Sequence, residues 1–325
     1  MLALLLAFGK SGPGVPAQTS RPASQSEALK FLPPSDAIVI VEVRRLRNEA
    51  LPRVVASDPA KLAQINADMA KFKTRTGIDP GWFERVVLGM RYTYPSPNIT
   101  KVQTVAIASG AFDAKALTTA VRAAAAGKYR EEKYRGATIS ILDLNDQIKL
   151  AGLWDVKVNQ LAICILDGDT LALGSLESVR AAIAAGRAGA RSNPELAALA
   201  SRDPNALVGF AGNVTRALLD NLHVGTDAVA KDVGSIKQIY GSIGNTKTNL
   251  SLLIVARTGS PAEARGVSDT VTGLKQLGAI VIARMQPPKK NLAQNALDNL
   301  TIATVGNEVQ IRTQLATADL AAFIK

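Results

Sequence analysis

Short apolar runs alternate along the chain with longer stretches of helical periodicity, and the two patterns separate strands from helices. Ala37-Ile-Val-Ile-Val-Glu-Val43 is the first strong strand, introduced by Leu32-Pro-Pro-Ser-Asp36, a turn whose prolines cannot sit inside a ladder. Asp58-Pro59 then marks a helix start, with Leu62, Ile65, Met69 and Phe72 at helical spacing and Gly77 as the stop. Asp79-Pro80-Gly81 punctuates again, and Trp82 and Phe83 are expected to plug the edge of the core. Residues 86–94 and 102–109 read as consecutive strands across Pro95-Ser96-Pro97-Asn98, and 111–126 as a helix capped by Asp113 and ended by Gly127. Strands recur at 137–144, 161–166 and 170–173, the last two joined by Asp167-Gly168-Asp169, before Ser175 opens another helix.

From Asp203-Pro204 the order restarts. Residues 206–214 read as a strand, 215–232 as interrupted helix, and 235–242 with 248–257 as a strand pair. Ser260-Pro261 starts a long helix, 299–305 and 308–313 pair across Gly306-Asn307, and 316–324 closes the chain as a helix. Both halves therefore run strand, helices, strand pair, helix, strand pair, helix. Strands joined by short turns favour mixed or antiparallel sheets over a parallel one. The expected fold is α+β, two similar modules over residues 31–203 and 204–325, each a sheet packed against helices that bury its apolar face.

The amino terminus changes the picture of where the protein works. Met1-Leu-Ala-Leu-Leu-Leu-Ala-Phe8, a Gly/Pro/Ser stretch and the small residues before Gln18 are expected to form a secretory signal peptide, with a polar leader completing residues 1–30. No later segment is apolar for long enough to span a bilayer. The formal net charge of +11 is spread over the chain without a basic tail, so it suits weak association with anionic surfaces and names no partner. Aromatic residues make up only 4% of the chain, which leaves few rings for ligand stacking.

Candidate chemistry is sparse. The single cysteine, Cys164, lies in an apolar run and excludes intramolecular disulfides and multi-cysteine metal sites; the single histidine, His223, excludes two-histidine zinc motifs. No metal or cofactor is expected. Asp143, Asp146, Asp167 and Asp169 are the best carboxylate set, able in principle to serve acid/base hydrolysis, although Asp-Gly is first a turn signal. Lys128, Arg130, Lys133 and Arg135 interleave with Tyr129 and Tyr134 and form a candidate anion-contact patch, or a charged edge strand that resists aggregation. Gly241-Ser-Ile-Gly244-Asn-Thr-Lys247-Thr248 departs from a phosphate loop where Thr246 replaces glycine and a strand follows.

The segments Leu32-Pro-Pro-Ser-Asp-Ala-Ile-Val-Ile-Val-Glu-Val43, Gly77-Ile-Asp-Pro80 with Phe83-Glu-Arg-Val-Val87, and Asp169-Thr-Leu-Ala-Leu-Gly-Ser175 resemble uncharacterised exported bacterial proteins with tandem α+β modules. The resemblance implies export and duplication and carries over no catalytic residue. The expected function is a non-catalytic exported binding or envelope-associated protein, periplasmic or extracellular, meeting a protein or envelope component. Its alternatives are an exported hydrolase using the aspartates and a basic nucleic-acid-binding protein, the latter requiring the dispersed Lys and Arg to gather on one face.

Overall fold

The computed structural model describes residues 25–56, 58–96, 99–125, 127–150, 154–189, 193–222, 227–246, 249–287 and 289–317. The first half runs α1 (Gln25–Lys30), β1 (Ala37–Val41), α2 (Val43–Arg45), a π-helical turn Leu46–Ala50, α3 (Leu51–Val54), α4 (Pro59–Thr76), β2 (Phe83–Ser96) and β3 (Ile99–Gly110). It continues with α5 (Ala114–Ala124), β4 (Tyr129–Tyr134), β5 (Ala137–Leu150), β6 (Trp154–Ile165), β7 (Thr170–Gly174), α6 (Leu176–Ala188) and α7 (Pro194–Ala200). The second half is β8 (Val208–Asn213), α8 (Arg216–Leu222), α9 (Asp227–Gly234), β9 (Ile236–Asn245), β10 (Asn249–Thr258), α10 (Pro261–Ala283), α11 (Lys289–Asp298), β11 (Thr301–Val305) and β12 (Glu308–Ala316).

The described strands join in one twelve-stranded sheet, ordered β11-β12-β10-β9-β8-β1-β2-β3-β7-β6-β5-β4. Each neighbouring pair is antiparallel, and short hairpin connections join β2 to β3, β4 to β5, β5 to β6, β6 to β7, β9 to β10 and β11 to β12. The halves fuse where β1 pairs with β8, from Ala37↔Gly212 to Val41↔Val208. Outwards from that junction the order is palindromic: β1-β2-β3-β7 on one side, β8-β9-β10-β12 on the other. In each half the final strand returns beside the third with the preceding strand, β6 or β11, outside it, and the first half adds β4 and β5. Asp36 ties the junction together: its N–H donates to Met90 O at 2.7 Å, its carbonyl accepts from Asn213 N at 2.8 Å, and its Oδ2 accepts from Tyr92 N at 2.8 Å.

Local chemistry sets the helix ends. Asp58, Asp113, Ser175 and Ser260 each accept a backbone N–H three residues on, satisfying one of the orphan donors of the first turn. Gly77 ends α4 at φ 71°, and a Cβ there would lie 2.3 Å from the Ala120 carbonyl carbon, so glycine permits both the left-handed turn and the approach of α5.

Coverage of the sheet differs between the halves. In the first half α1, α6 and α7 pack over Ile38, Ile107, Ile139, Ala162 and Cys164, while α2, α4 and α5 pack over Val86, Leu88, Ala108, Ile163 and Leu171 on the opposite face. Strands buried on both faces need apolar residues at consecutive positions, which explains the unbroken runs in β1 and β6. Ala28 and Leu29, which the sequence reading places in the leader, are buried in this core. In the second half α10 packs over Ile236, Ala256 and Val309, and Thr313 Oγ1 donates to Ala296 O of α11 at 2.7 Å. The other face of β9, β10, β12 and β11 is open beyond α7, and β12 carries the corresponding alternation: Glu308, Gln310, Arg312 and Gln314 on the open face, Val309, Ile311, Thr313 and Leu315 on the covered one.

Candidate functional site

Among the described side chains, Asp143 lies apart from Asp167 and Asp169. Asp143 lies in β5 opposite Gln160 of β6, whose Nε2 donates to its Oδ1 at 2.9 Å. Asp167 and Asp169 occupy the β6–β7 turn, beyond the end of β6 at Ile165, which is about 17 Å of strand from Gln160. In that turn Asp169 N donates to Asp167 Oδ1 at 3.3 Å, Thr170 Oγ1 donates to Asp169 Oδ1 at 2.9 Å, and Lys30 Nζ pairs with Asp167 Oδ2 at 3.3 Å. Burial, with the neighbouring Asp167, raises the Asp169 carboxyl above its ordinary range. The side chains of Asp146 and Trp154, and His223 entirely, lie outside the described residues. Among the described residues no three His, Cys, Asp or Glu side chains gather as metal ligands.

The basic residues Lys128, Arg130, Lys133 and Arg135 are exposed on and beside β4, the terminal strand of the sheet. Alternation divides them. Arg130 is opposite Ile141 on the face of α6, whereas Lys133 is opposite Thr138 on the face of α5 and donates to its Oγ1 at 2.6 Å. Glu131 and Glu132 are taken by Arg122 at 2.5 Å and Arg180 at 2.6 Å, from opposite sides of the strand. Arg135 stacks over Tyr134, 5.6 Å from its ring centre. Of the glycine-containing segment, Gly241 to Asn245 lie in β9, Lys247 and Thr248 fall outside the described residues, and β10 starts at Asn249.

A different set of residues lines a concave site. A cavity of about 370 Å³ lies on the open face of the second half, bordered by Asp203, Ser242, Ser251, Leu253, Asn299, Thr301, Arg312 and Gln314. The register explains the grouping: Ser242, Leu253, Arg312 and Thr301 form one row across β9, β10, β12 and β11, and Gly244, Ser251 and Gln314 form the next. Gly244 keeps the floor low, since a Cβ there would meet Ser251 Oγ at 2.6 Å. Asp203, in the turn after α7, accepts from Ser242 Oγ at 3.0 Å and from Asn205 N at 3.0 Å. Arg312 donates to Gln310 Oε1 at 2.9 Å and has no carboxylate within ion-pair distance among the described residues.

An ionic cluster closes one end of this face. Arg202 and Arg257 flank the buried Tyr240 ring at 5.3 and 5.4 Å, and both reach Glu308. Arg257 Nε and Nη2 donate to Glu308 Oε1 at 3.1 and 3.0 Å, Arg257 Nη1 donates to Gln238 Oε1 at 3.0 Å, and Arg202 Nη1 donates to the Tyr240 hydroxyl. Burial opposes ionisation of Glu308, but the hydrogen bonds of Tyr240 and Arg257 and the positive charges outweigh it and hold the carboxyl below its ordinary range. Burial and the Glu308 charge push the Tyr240 hydroxyl up. The cluster holds β12 against β9 and β10 and leaves Arg312 as the cation facing the cavity.

Sequence reasoning missed this site because its residues are isolated Ser, Thr, Asn, Gln and Arg scattered from Asp203 to Gln314. The one signal available was the alternation in β12.

No protein-family model matches the chain, and no curated protein matches it. Among solved structures, crystal form III of TP0453 matches with a TM-score of 0.48 and 11% identity, covering 91% of this chain and 96% of that one. Crystal form I gives 0.47 and 11% over 92% and 96%, and crystal form IV gives 0.46 and 10% over 91% and 95%. TM-scores below 0.5 transfer no function, and the architecture described above rests on this chain's own strands.

Proposed function

We propose that this chain is an exported, non-catalytic binding protein of the cell envelope, and that its open sheet face takes a small hydroxylated ligand bearing a carboxylate or phosphate. The observation that carries the reading is Arg312, a guanidinium without an acidic partner among the described residues, set between hydroxyl and amide side chains on a concave floor. A guanidinium fork matches a planar carboxylate or phosphate oxygens, and Ser242, Ser251, Thr301 and Gln314 offer donors and acceptors for hydroxyl groups. A volume of about 370 Å³ is at the lower end of small-molecule sites and suits a ligand of monosaccharide size. The separation of Asp143 from Asp167 and Asp169, and the burial of Cys164, support a role without catalysis. The leader sequence and the resemblance to exported bacterial proteins support the envelope.

Thermal titration with glucuronate and glucose 6-phosphate, with glucose as the neutral control, tests this. Either anion at a hundred times its Kd should add about 2.7 kcal/mol, or about 5 °C in Tm, and Arg312→Gln should abolish the shift without lowering the unliganded Tm. Equal shifts with glucose, or shifts that survive Arg312→Gln, would remove Arg312 from the reading; no shift with any of the three would remove the ligand class.

A further inference from the structure

The C-terminal half of α10 leaves an apolar stripe uncovered. Leu274, Leu277, Ile280 and Val281 are 50%, 58%, 56% and 63% exposed, half of the large exposed apolar side chains found among the described residues. At 100° per residue this stripe continues the line of Gly266 and Thr270. In the N-terminal half that line is occupied by α9: Thr270 Oγ1 donates to Asp232 Oδ2 at 2.5 Å, and a Cβ on Gly266 would lie 2.9 Å from Asp232 Oδ1. The buried side of the helix, with Ala264, Val267 and Ile282, faces the sheet, so the stripe is additional to the core-facing one.

Charge completes the pattern. From Thr270 to Leu297 the sequence contains Lys275, Arg284, Lys289 and Lys290 and no acidic residue. Lys275 and Lys290 donate to the carbonyls of Leu300 and Ala283, at 2.7 and 3.4 Å, and none of the four pairs with a carboxylate among the described residues. Arg284 falls on the same line as Leu277 and Val281, two turns beyond the first and one beyond the second. From Thr270 to Leu297 this exposed apolar side carries cations and no carboxylate, with Asp232 and Asp269 at its N-terminal end, a pattern complementary to an apolar layer beneath an anionic one. Among the described residues no helix is long and apolar enough to cross a bilayer, so such a surface would be met by lying on it.

We infer that this half of α10 docks on an anionic lipid surface, with Leu274, Leu277, Ile280 and Val281 at the acyl boundary and Arg284, Lys289 and Lys290 at the headgroups. The contact goes beyond the cavity reading and does not use Arg312.

The test is flotation of the chain beginning at Gln18, the product of the expected leader cleavage, with vesicles of phosphatidylcholine alone or with about one third phosphatidylglycerol. Binding is expected to the anionic vesicles and to weaken with salt. Lys289→Gln with Lys290→Gln should lower the partition coefficient about 25-fold, at about fivefold per cation. Leu277→Glu with Ile280→Glu should abolish binding while circular dichroism and Tm are retained, because both side chains are already more than half exposed. Arg312→Gln should leave vesicle binding unchanged, so the two sites fail separately. Equal binding to neutral vesicles, no binding to either, or binding indifferent to both double variants would overturn the inference. A dimer that Leu277→Glu with Ile280→Glu converts to monomer, without vesicle binding by the unaltered chain, would overturn it in favour of a second copy.

Discussion

Removing the Glu308 carboxylate perturbs the one cluster that joins β9, β10, β12 and the turn after α7. Its side chain is 12% exposed and accepts two guanidinium N–H bonds from Arg257, with Arg202 as a second cation at 3.3 Å. Bonds of this charged kind contribute about 1.5 kcal/mol each at the low end, which gives about 3 kcal/mol for the pair. Arg257 would keep Gln238 and Glu195 as partners, so the expected net cost of Glu308→Ala is about 2 kcal/mol, or about 4 °C in Tm. Glu308→Gln retains an acceptor and loses the charge, and should cost about half as much. The pH dependence follows from the direction of the shift. The carboxyl is held below the ordinary glutamate value of 4.5 when folded, so in acid the unfolded chain binds the extra proton. The contribution is therefore present above that ordinary value and disappears as pH falls through the folded one. Differential scanning calorimetry at pH 7 and at successive values down to pH 3 would show the difference between wild type and Glu308→Gln shrinking towards acid. A Glu308→Gln Tm within 1 °C of wild type at pH 7, in the face of the roughly 2 °C expected, would refute the account of the cluster.

Further outcomes follow from single positions. Gly77→Ala places a Cβ 2.3 Å from the Ala120 carbonyl carbon at a positive φ, and should cost about 2–4 kcal/mol in urea unfolding; a loss under 1 kcal/mol would show that α4 and α5 can separate freely. Burial pushes the Cys164 thiol up to about 11, so at pH 8 about one molecule in a thousand carries the thiolate. Iodoacetamide should label native protein far more slowly than urea-unfolded protein, and equal rates would contradict the placement of Cys164 between α6 and the sheet. Gly244→Ala should weaken glucuronate binding at least tenfold through the crowding of Ser251, with Tm changed little; unchanged binding would place the ligand elsewhere. The division of the chain at Asp203–Pro204 remains a proposal, and the β1–β8 pairing predicts that a 31–203 fragment, left with an open β1 edge, self-associates on size-exclusion chromatography.

Much of the secondary structure was legible because its signals are local. Asp58-Pro59 with Gly77, Asp113, and Ser260-Pro261 mark helix ends by hydrogen bonds made within one turn, and those bonds are present. Where the pattern lacked a local cause it was read short. β5 runs to Leu150 and β6 starts at Trp154, whereas the apolar run suggested an end near residue 144, because Asn145, Asp146, Gln147 and Lys149 interrupt it. α7 is seven residues in an Ala-rich stretch without a side-chain cap, and its position depends on Gly209 of β8, where a Cβ would meet Ala200 O at 1.8 Å. The repeated order of elements was visible in the chain, but the joining of both halves through β1 and β8 is a long-range pairing that no local motif announces. For the same reason the aspartates drew attention as neighbours in sequence, while the row Ser242, Leu253, Arg312 and Thr301 exists only once four strands are in register.

Under the proposed function, the open face of the second half holds a ligand through Arg312. Native mass spectrometry of the chain, purified without added ligand from the cells that make it, measures this directly against Arg312→Gln prepared in the same way. The wild-type protein is expected to carry a small anionic adduct of monosaccharide mass that is absent from Arg312→Gln and is displaced by glucuronate. The bare chain mass for both proteins, before and after glucuronate is added, would contradict it.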